Sequence, residues 1–386
     1  MLSDLVKKSL YGSGLLGLYH RFRNRRSLTV IMFHRVIDPA DPRWASCDPD
    51  YTLDAALFER CLAFFSRHYN VVSAADVLAA RKGEASLPPR ALLITFDDGW
   101  KDNADFALPR LRKARLPALL FVVADVIGRR LPFFQEQLMA GWRLGRIDAE
   151  RLLQVTGQKV VAGEGAQRSL RKAIAALEQL SDDARESTLA DFAEAMDDGH
   201  RHMVDAKEVA ALEQGGVAIG LHGKTHTPMT RATNLDAELA GARKDVAAHL
   251  DPPNAPQTMS FPHGRYTPAI AERAREAGYE LVFTSDPALN PVNGRPGWLL
   301  GRVGFEQSGI VDRDDINTIK SFLNLRAVQL IERAELNAYD ILCNEWIVFS
   351  KATLPGHTEA EVAAAPAKAT KKTAANKKTA RKATKR

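Results

Sequence analysis

The sequence predicts an α/β protein whose parallel sheet is buried beneath helices. Two observations carry this expectation. Runs such as Ala91–Phe96 (ALLITF) and Ala118–Val123 (ALLFVV) are apolar at nearly every position instead of every second one. Strands covered on both faces need that composition. Such runs also alternate with stretches of helical periodicity, the arrangement of repeated strand–helix units around a sheet, open or closed into a barrel. The composition agrees: 386 residues, 45% hydrophobic and 26% charged, exclude global disorder and a collagen-like repeat.

In order along the chain, Ser27–Val36 (SLTVIMFHRV) reads as the first buried strand. Leu53–His68 follows as a helix, with apolar Leu57, Cys61, Phe64 and Phe65 on one face and Thr52 as its expected cap. Tyr69–Val72 is a short strand, and Ser73 caps a helix over Ala74–Arg81. After strand Ala91–Phe96, Asn103–Lys113 is helical with a kink or restart at Pro109, and strand Ala118–Val123 comes next. From about 131 to 205 the alternation lapses into charged, helix-periodic sequence, read as a helical insertion acting as a lid or substrate-specific cap. The pattern then resumes: strand Val217–His222, helix Leu235–Leu250, a short strand near Met259–Phe261, helix Pro268–Ala277, and strand Tyr279–Thr284. Trp298–Phe305 is the expected last strand, and Asp312–Glu335 a closing helix. Domain bounds follow: an N-terminal basic, amphipathic segment over 1–26, a main body over 27–345, and a tail over 351–386.

The net charge of +6 belongs to the tail. Nine of the 53 basic residues lie between Lys368 and Arg386, and the 44 that remain face 47 acids. A run of Lys, Ala and Thr has too little apolar surface to fold, so the tail is expected to be disordered. Its charge suits an anionic partner: nucleic acid, lipid or acidic glycan. Three widely spaced cysteines make no disulfide framework. No transmembrane segment is expected, because no apolar run reaches the roughly 18 residues that a spanning helix needs. With no secretory cleavage site near the start, the expected location is cytoplasmic, or membrane-peripheral through the basic Arg21–Arg26 segment.

Two segments carry chemistry. Ile94-Thr95-Phe96-Asp97-Asp98-Gly99-Trp100 places adjacent carboxylates at the end of a buried strand, where α/β proteins hold their ligands. Neighbours on a strand point in opposite directions, so the two acids can take different tasks, one on a metal and one on a water. Gly220-Leu221-His222-Gly223-Lys224-Thr225-His226 follows another buried strand with two histidines four positions apart. With one carboxylate they make a two-His, one-carboxylate set that suits Zn²⁺ or a related divalent ion and leaves positions open for water and substrate.

TFDDG, then a strand ending in HxxxH, then the PxG turn of Ser260-Phe261-Pro262-His263-Gly264, resembles the polysaccharide deacetylase, or NodB-homology, family over roughly 28–305. The FHRV strand at Phe33–Val36 is similar to the branch that includes poly-N-acetylglucosamine deacetylases. The resemblance implies a distorted (β/α) barrel with its site at the C-terminal ends of the strands. It also implies removal of N-acetyl groups from a carbohydrate by a metal-dependent hydrolase. Asp98, His222 and His226 match the family's metal ligands, with Zn²⁺ the expected ion, and Asp97 matches its catalytic base. Pro262, Gly264, Trp100 and Arg302 are the expected substrate contacts. Where many relatives carry an arginine, this chain has Ser260, and Arg265 or Arg302 could supply the charge that orients Asp97. The family's late DxxDW motif and its late LxH histidine are absent, so His34 stands in as the candidate acid, and His263 is expected only to shape its loop. Two other readings stay compatible: an amidase for another non-peptide C–N bond, and an inactive barrel that binds partners through its tail.

Overall fold

A computed structural model describes residues 24–161, 166–250 and 255–305. The expected helix at Asp312–Glu335 and the basic tail lie outside them, as does nearly all of the N-terminal segment. The sheet begins with β1 (Ser27–Phe33) and β5 (Ala91–Phe96), parallel and in register from Leu28 opposite Ala91 to Phe33 opposite Phe96. Parallel neighbours follow in order: β6 (Ala118–Val122), β7 (Val217–Leu221), β8 (Thr258–Ser260), β9 (Leu281–Phe283) and β11 (Leu299–Leu300). The expected last strand is split. Its first part, β11, pairs with β9, and its second, β12 (Val303–Gly304), pairs with β1. The chain crosses from one edge to the other at Gly301-Arg302, and this crossing rolls the sheet into a nearly closed, distorted barrel. Short β4 (Asn70–Val71) and β10 (Asn290–Pro291) extend β5 and β1, while β2 (Arg35–Ile37) pairs separately with β3 (Thr52–Asp54).

Residues two apart on a strand share a face, and the apolar clusters follow that rule. Leu28, Val30, Leu93, Leu119, Phe121, Leu281 and Phe283 form one buried set, with the Phe121 and Phe283 rings 5.1 Å apart. Gly220 leaves room for them: a Cβ there would lie 2.6 Å from both the Phe121 ring and Thr258 Oγ1. The alternate residues Ile31, Phe33, Leu92, Ile94, Leu120 and Val122 pack against helices α1 (Ala55–His68), α3 (Leu108–Ala114) and α9 (Ala206–Gln214) through Phe58, Leu111 and Val209. Each such side chain contributes roughly 1.5–3 kcal/mol by leaving water.

Local chemistry sets the helix ends. Ser73 and Asp76 form a reciprocal capping box on α2 (Ala74–Lys82), which stops at Gly83 in the left-handed conformation. Thr52 does not cap α1: it lies in β3, and Asp54 caps the helix by accepting from the Ala56 N–H at 2.6 Å. The helical stretch after Trp100 opens with a π turn at Asn103–Ala107 before α3, and the expected Leu235–Leu250 helix is a π turn at Ala237–Gly241 followed by α10 (Ala242–Ala247).

The stretch 131–205 holds only helices among its named elements: α4 (Phe134–Arg143), α5 (Ala149–Thr156), α6 (Ala166–Glu178), α7 (Asp182–Leu189) and α8 (Ala193–Met196), with one 3₁₀ turn. Leu138, Leu152, Leu170, Leu177 and Phe192 give it a core of its own. Fully buried Arg35 ties both ends of this insertion to the barrel. Its Nε donates to Asp102 at 2.9 Å, its Nη1 to Glu136 at 3.2 Å, and its Nη2 to His202 Nδ1 at 3.0 Å. An arginine can only donate, so Nδ1 accepts and His202 Nε2 carries the hydrogen given to Asp198 at 2.8 Å. No helix among the described residues is long and apolar enough to cross a membrane.

Candidate active site

Inward-facing rows of the strands lead up to the site. Thr95 and then Asp97 continue the inward row of β5, and His222 stands one residue past β7. Strict alternation would turn Asp98 away from Asp97. It does not, because Asp98 has φ +79° and Gly99 φ +88°, a left-handed bend that swings both carboxylates toward one cleft. Of five non-glycine residues with positive φ among the described residues, three are Asp98, His226 and His263 at this site. Backbone strain of that kind costs about 1–3 kcal/mol each and persists only where surroundings enforce it.

The enforcement at His226 comes from Glu238 in the second π turn. Its Oε2 accepts from the Lys224 and Thr225 N–H groups at 2.6 and 3.2 Å, and its Oε1 from the Thr225 hydroxyl at 2.6 Å. The first π turn does similar work for His34: Asn103 Nδ2 donates to the His34 carbonyl at 2.9 Å. π turns are frequent at functional sites, and here each one aims a supporting side chain at a site loop.

Asp98, His222 and His226 converge. Asp98 Oδ1 lies 3.4 Å from His222 Nε2 and 3.2 Å from His226 Nε2. A tetrahedral ion with bonds of about 2.0–2.1 Å sets its ligand atoms about 3.3 Å apart; both separations from Asp98 match that spacing, and the three ligand atoms all lie within 4.8 Å of one another. The outer contacts fit as well. His222 Nδ1 is 3.0 Å from the Ser260 carbonyl, which can only accept, so Nδ1 carries the hydrogen and Nε2 keeps its lone pair. Trp100 Nε1 donates to Asp98 Oδ2 at 3.0 Å, leaving Oδ1 for an ion. The indole is held by the Arg35 guanidinium 4.3 Å over its ring, and Phe133, at the start of the insertion, meets Trp100 edge-on and stacks 4.0 Å from the His226 ring.

Arg302 sits where the closing strand breaks. Its Nη1 and Nη2 donate to the two oxygens of Asp97 at 2.6 and 2.7 Å, and its Nε to the Thr284 carbonyl at 3.0 Å. Of the two arginines considered for orienting Asp97, Arg302 is thus the one in contact, while Arg265 stands exposed on the cleft wall. Burial pushes Asp97 up, but Arg302 and then His222 more than offset this and hold it below its ordinary value. Asp98, similarly buried, is held well below by His226 and His222. Burial lowers His222, yet the two carboxylates raise it overall, so protons compete with an ion for its Nε2.

The cleft has a volume of about 710 Å³. His34 lines it, half-buried beside Tyr51 at 4.9 Å between ring centroids. The expected substrate contacts are placed differently. Arg302 has no exposed surface and lies beneath Asp97, where it can hold that carboxylate but not touch a sugar. Pro262 and Gly264 build the turn without lining the cleft, whereas Phe261, His263 and Arg265 do line it. Trp100 reaches the cleft but is only 1% exposed, so its main contact is Asp98. Glu238, Asn103 and Phe133 were not marked by spacing or residue type. Their only sequence signal is polar or aromatic residues inside helical stretches, which is too common to single them out.

The model of the family described as "Polysaccharide deacetylase" matches residues 84–148 and 165–282. The chain belongs to the polysaccharide deacetylase family. Its match leaves out 149–164, which holds all of α5; it covers β5 to β8, nearly all of β9 and most of the insertion, but neither β1 nor the closing strands β11 and β12. Solved structures similar to this chain include the deacetylase PplD of Streptococcus pyogenes in complex with acetate, 15% identical with TM-score 0.47, covering 72% of this chain and 92% of that one. Another is IcaB from Ammonifex degensii, 19% identical with TM-score 0.46, covering 77% and 97%. A de-N-acetylase from Aggregatibacter actinomycetemcomitans is 16% identical with TM-score 0.46, covering 76% and 98%. Among curated proteins, large ribosomal subunit protein uL4 of Corynebacterium kroppenstedtii is 32% identical over 93 residues, 24% of this chain. The match spans 42% of that relative's length.

Proposed function

We propose that this polysaccharide deacetylase family member hydrolyses the N-acetyl group of an amino-sugar glycan or of its lipid- or nucleotide-linked precursor, with a divalent ion, Zn²⁺, held by Asp98, His222 and His226. The observation that carries the reading is one cleft in which three ligand atoms converge beside a second carboxylate locked by a bidentate arginine. When bound, the ion polarises the acetyl carbonyl and makes its water more acidic. Asp97, kept ionised by Arg302, accepts the water's proton. The same guanidinium fixes both carboxylate oxygens, so Asp97 cannot rotate to take the place of Asp98. His34 hands a proton to the departing amine. Burial lowers its basicity and the two site carboxylates work against that, as does negative charge developing on the acetyl oxygen. Ser260 Oγ, 2.6 Å from His222 Nδ1 and 3.4 Å from Asp97 Oδ1, spans the metal side and the base side.

Metal analysis of the purified protein, paired with acetate release from acetylated sugars, lipid-linked precursors and soluble polymer, tests this. Activity should vanish on chelation and return with zinc. Asp97→Asn should keep the metal and lose about 10²–10⁴-fold in rate, whereas His226→Ala should lose metal and activity together. Release of metal by Asp97→Asn with retention by Asp98→Asn would reverse the two roles.

A further inference from the structure

The cleft lies at the C-terminal ends of the strands, and the opposite end of the barrel carries a charge of its own. Segments 24–26, 67–70, 81–90, 112–117 and 292–298 turn there and hold ten Lys or Arg residues against one acid, Glu84. They adjoin β10, β1, β5 and β6, consecutive in the sheet, and β4, paired with β5. Several also touch. The Val292 N–H donates to the Arg26 carbonyl at 2.7 Å, Arg90 Nη1 to the His68 carbonyl at 2.6 Å, and Arg81 Nη1 to the Pro296 carbonyl at 3.3 Å. We propose that this face docks the chain on the anionic surface of a lipid bilayer, with the cleft turned away from it.

The charge on this face is not neutralised from within. Among the described residues, Lys113 is the one cation of the ten that is ion-paired, with Glu59. His68 responds to the others: burial lowers its basicity, and Arg67 and Arg90 lower it further. Helix C-termini favour cations, which accounts for Arg67, Arg81, Lys82, Arg112 and Lys113 in the last turns of α1, α2 and α3. It does not account for Arg26, Arg90 or Arg295, which lie outside those helices. The charge is also confined to one sector, because segments 213–216 and 276–280, leading into β7 and β9, hold three acids and no Lys or Arg. Lipid is favoured over nucleic acid by the sequence that enters at this face. The 23 residues before Asn24 contain six leucines and four Lys or Arg with one acid. Such a mixture suits a bilayer interface, which takes up apolar side chains beneath anionic headgroups, whereas a nucleic acid backbone offers leucine nothing. Exposed cations within a Debye length of the leaflet, roughly 10 Å, then add to the attraction.

The test uses the full chain, sedimented with vesicles of phosphatidylcholine alone or with about one quarter phosphatidylglycerol. Wild type should bind the mixed vesicles at least tenfold more tightly, and about 0.5 M salt should remove the difference. Each basic residue near such a surface is worth about fivefold in affinity, so Arg26→Gln/Lys82→Gln/Arg115→Gln, all at exposed side chains, should lose at least tenfold. Arg25→Gln/Arg67→Gln, a second exposed set on the same face, should lose at least fivefold and guards against misfolding of the first. Lys159→Gln/Lys172→Gln/Lys207→Gln removes three exposed cations elsewhere and should bind as wild type does. Equal binding of both vesicles by wild type, wild-type binding by both base variants, or an equal loss in the control overturns the docking face. Base variants weakened toward duplex DNA but not toward vesicles overturn it as well.

Discussion

Replacing Arg302 by methionine removes the partner of a carboxylate that has nowhere else to go. Arg302 is fully buried and Asp97 only 2% exposed, with both oxygens bonded to the same guanidinium. Removing one member of a buried pair costs about 3–5 kcal/mol, because the remaining charge is neither hydrated nor paired. For a domain of this size that corresponds to a fall in Tm of roughly 6–20 °C. The double variant Arg302→Met/Asp97→Asn leaves no buried charge and should recover most of the loss, within about 1–2 kcal/mol of wild type. The pH dependence has a defined sign. In wild type Asp97 is held below its ordinary value of 3.8, so the pair's stabilisation is complete above that pH and is lost as pH falls through the lower folded value. In Arg302→Met the carboxyl is raised instead, and the variant's deficit should shrink on acidification. Urea unfolding of the three proteins from about pH 2 to 8 measures both effects. A single-variant deficit under 1 kcal/mol, or a double variant as unstable as the single one, refutes the reasoning.

Trp100→Phe keeps a ring beneath Arg35 but removes the N–H on Asp98 Oδ2; zinc affinity, read by chelator competition, should fall about 10–100-fold, and wild-type affinity would reduce Trp100 to packing. Gly220→Ala forces a Cβ to 2.6 Å from Phe121 and Thr258 Oγ1 and should cost about 1–3 kcal/mol in denaturant melts. Burial, with Asp48 adding to it, pushes Glu136 up to about 7. The folded state therefore holds a proton that the unfolded chain releases near 4.5, and stability falls as pH rises across that window. Glu136→Gln should flatten that fall, which paired melts at pH 5 and 8 will show.

Strand parity made part of the site legible. Counting by twos along ALLITFD and VAIGLH turns Asp97 and His222 inward, and apolar runs located the strands that carry them. Asp98 could not be placed that way, because its direction depends on a backbone bend that no residue type announces. Arg302 stood beside Arg265 as an equal alternative, since choosing between them required the closing strand to break at Gly301. Thr52 looked like a cap because a hydroxyl precedes a helical pattern, and Asp54 two residues later was the better acceptor. The insertion's helices showed in their periodicity, but which face of α6 met the barrel depended on ion pairs to Asp48 and Asp50, distant in sequence.

The break at Gly301-Arg302 also sets an order of events during synthesis. Asp97 leaves the ribosome 205 residues before Arg302, about 10–40 s at ordinary elongation rates. Throughout that interval the carboxylate has no guanidinium and must stay hydrated, which favours an open sheet with its interior still wet. The strand that joins β9 to β1 delivers the countercharge in the same movement that seals the barrel. A nascent chain arrested before residue 302 therefore holds all three convergent ligand residues, Asp98, His222 and His226, around a lumen that water has not yet left.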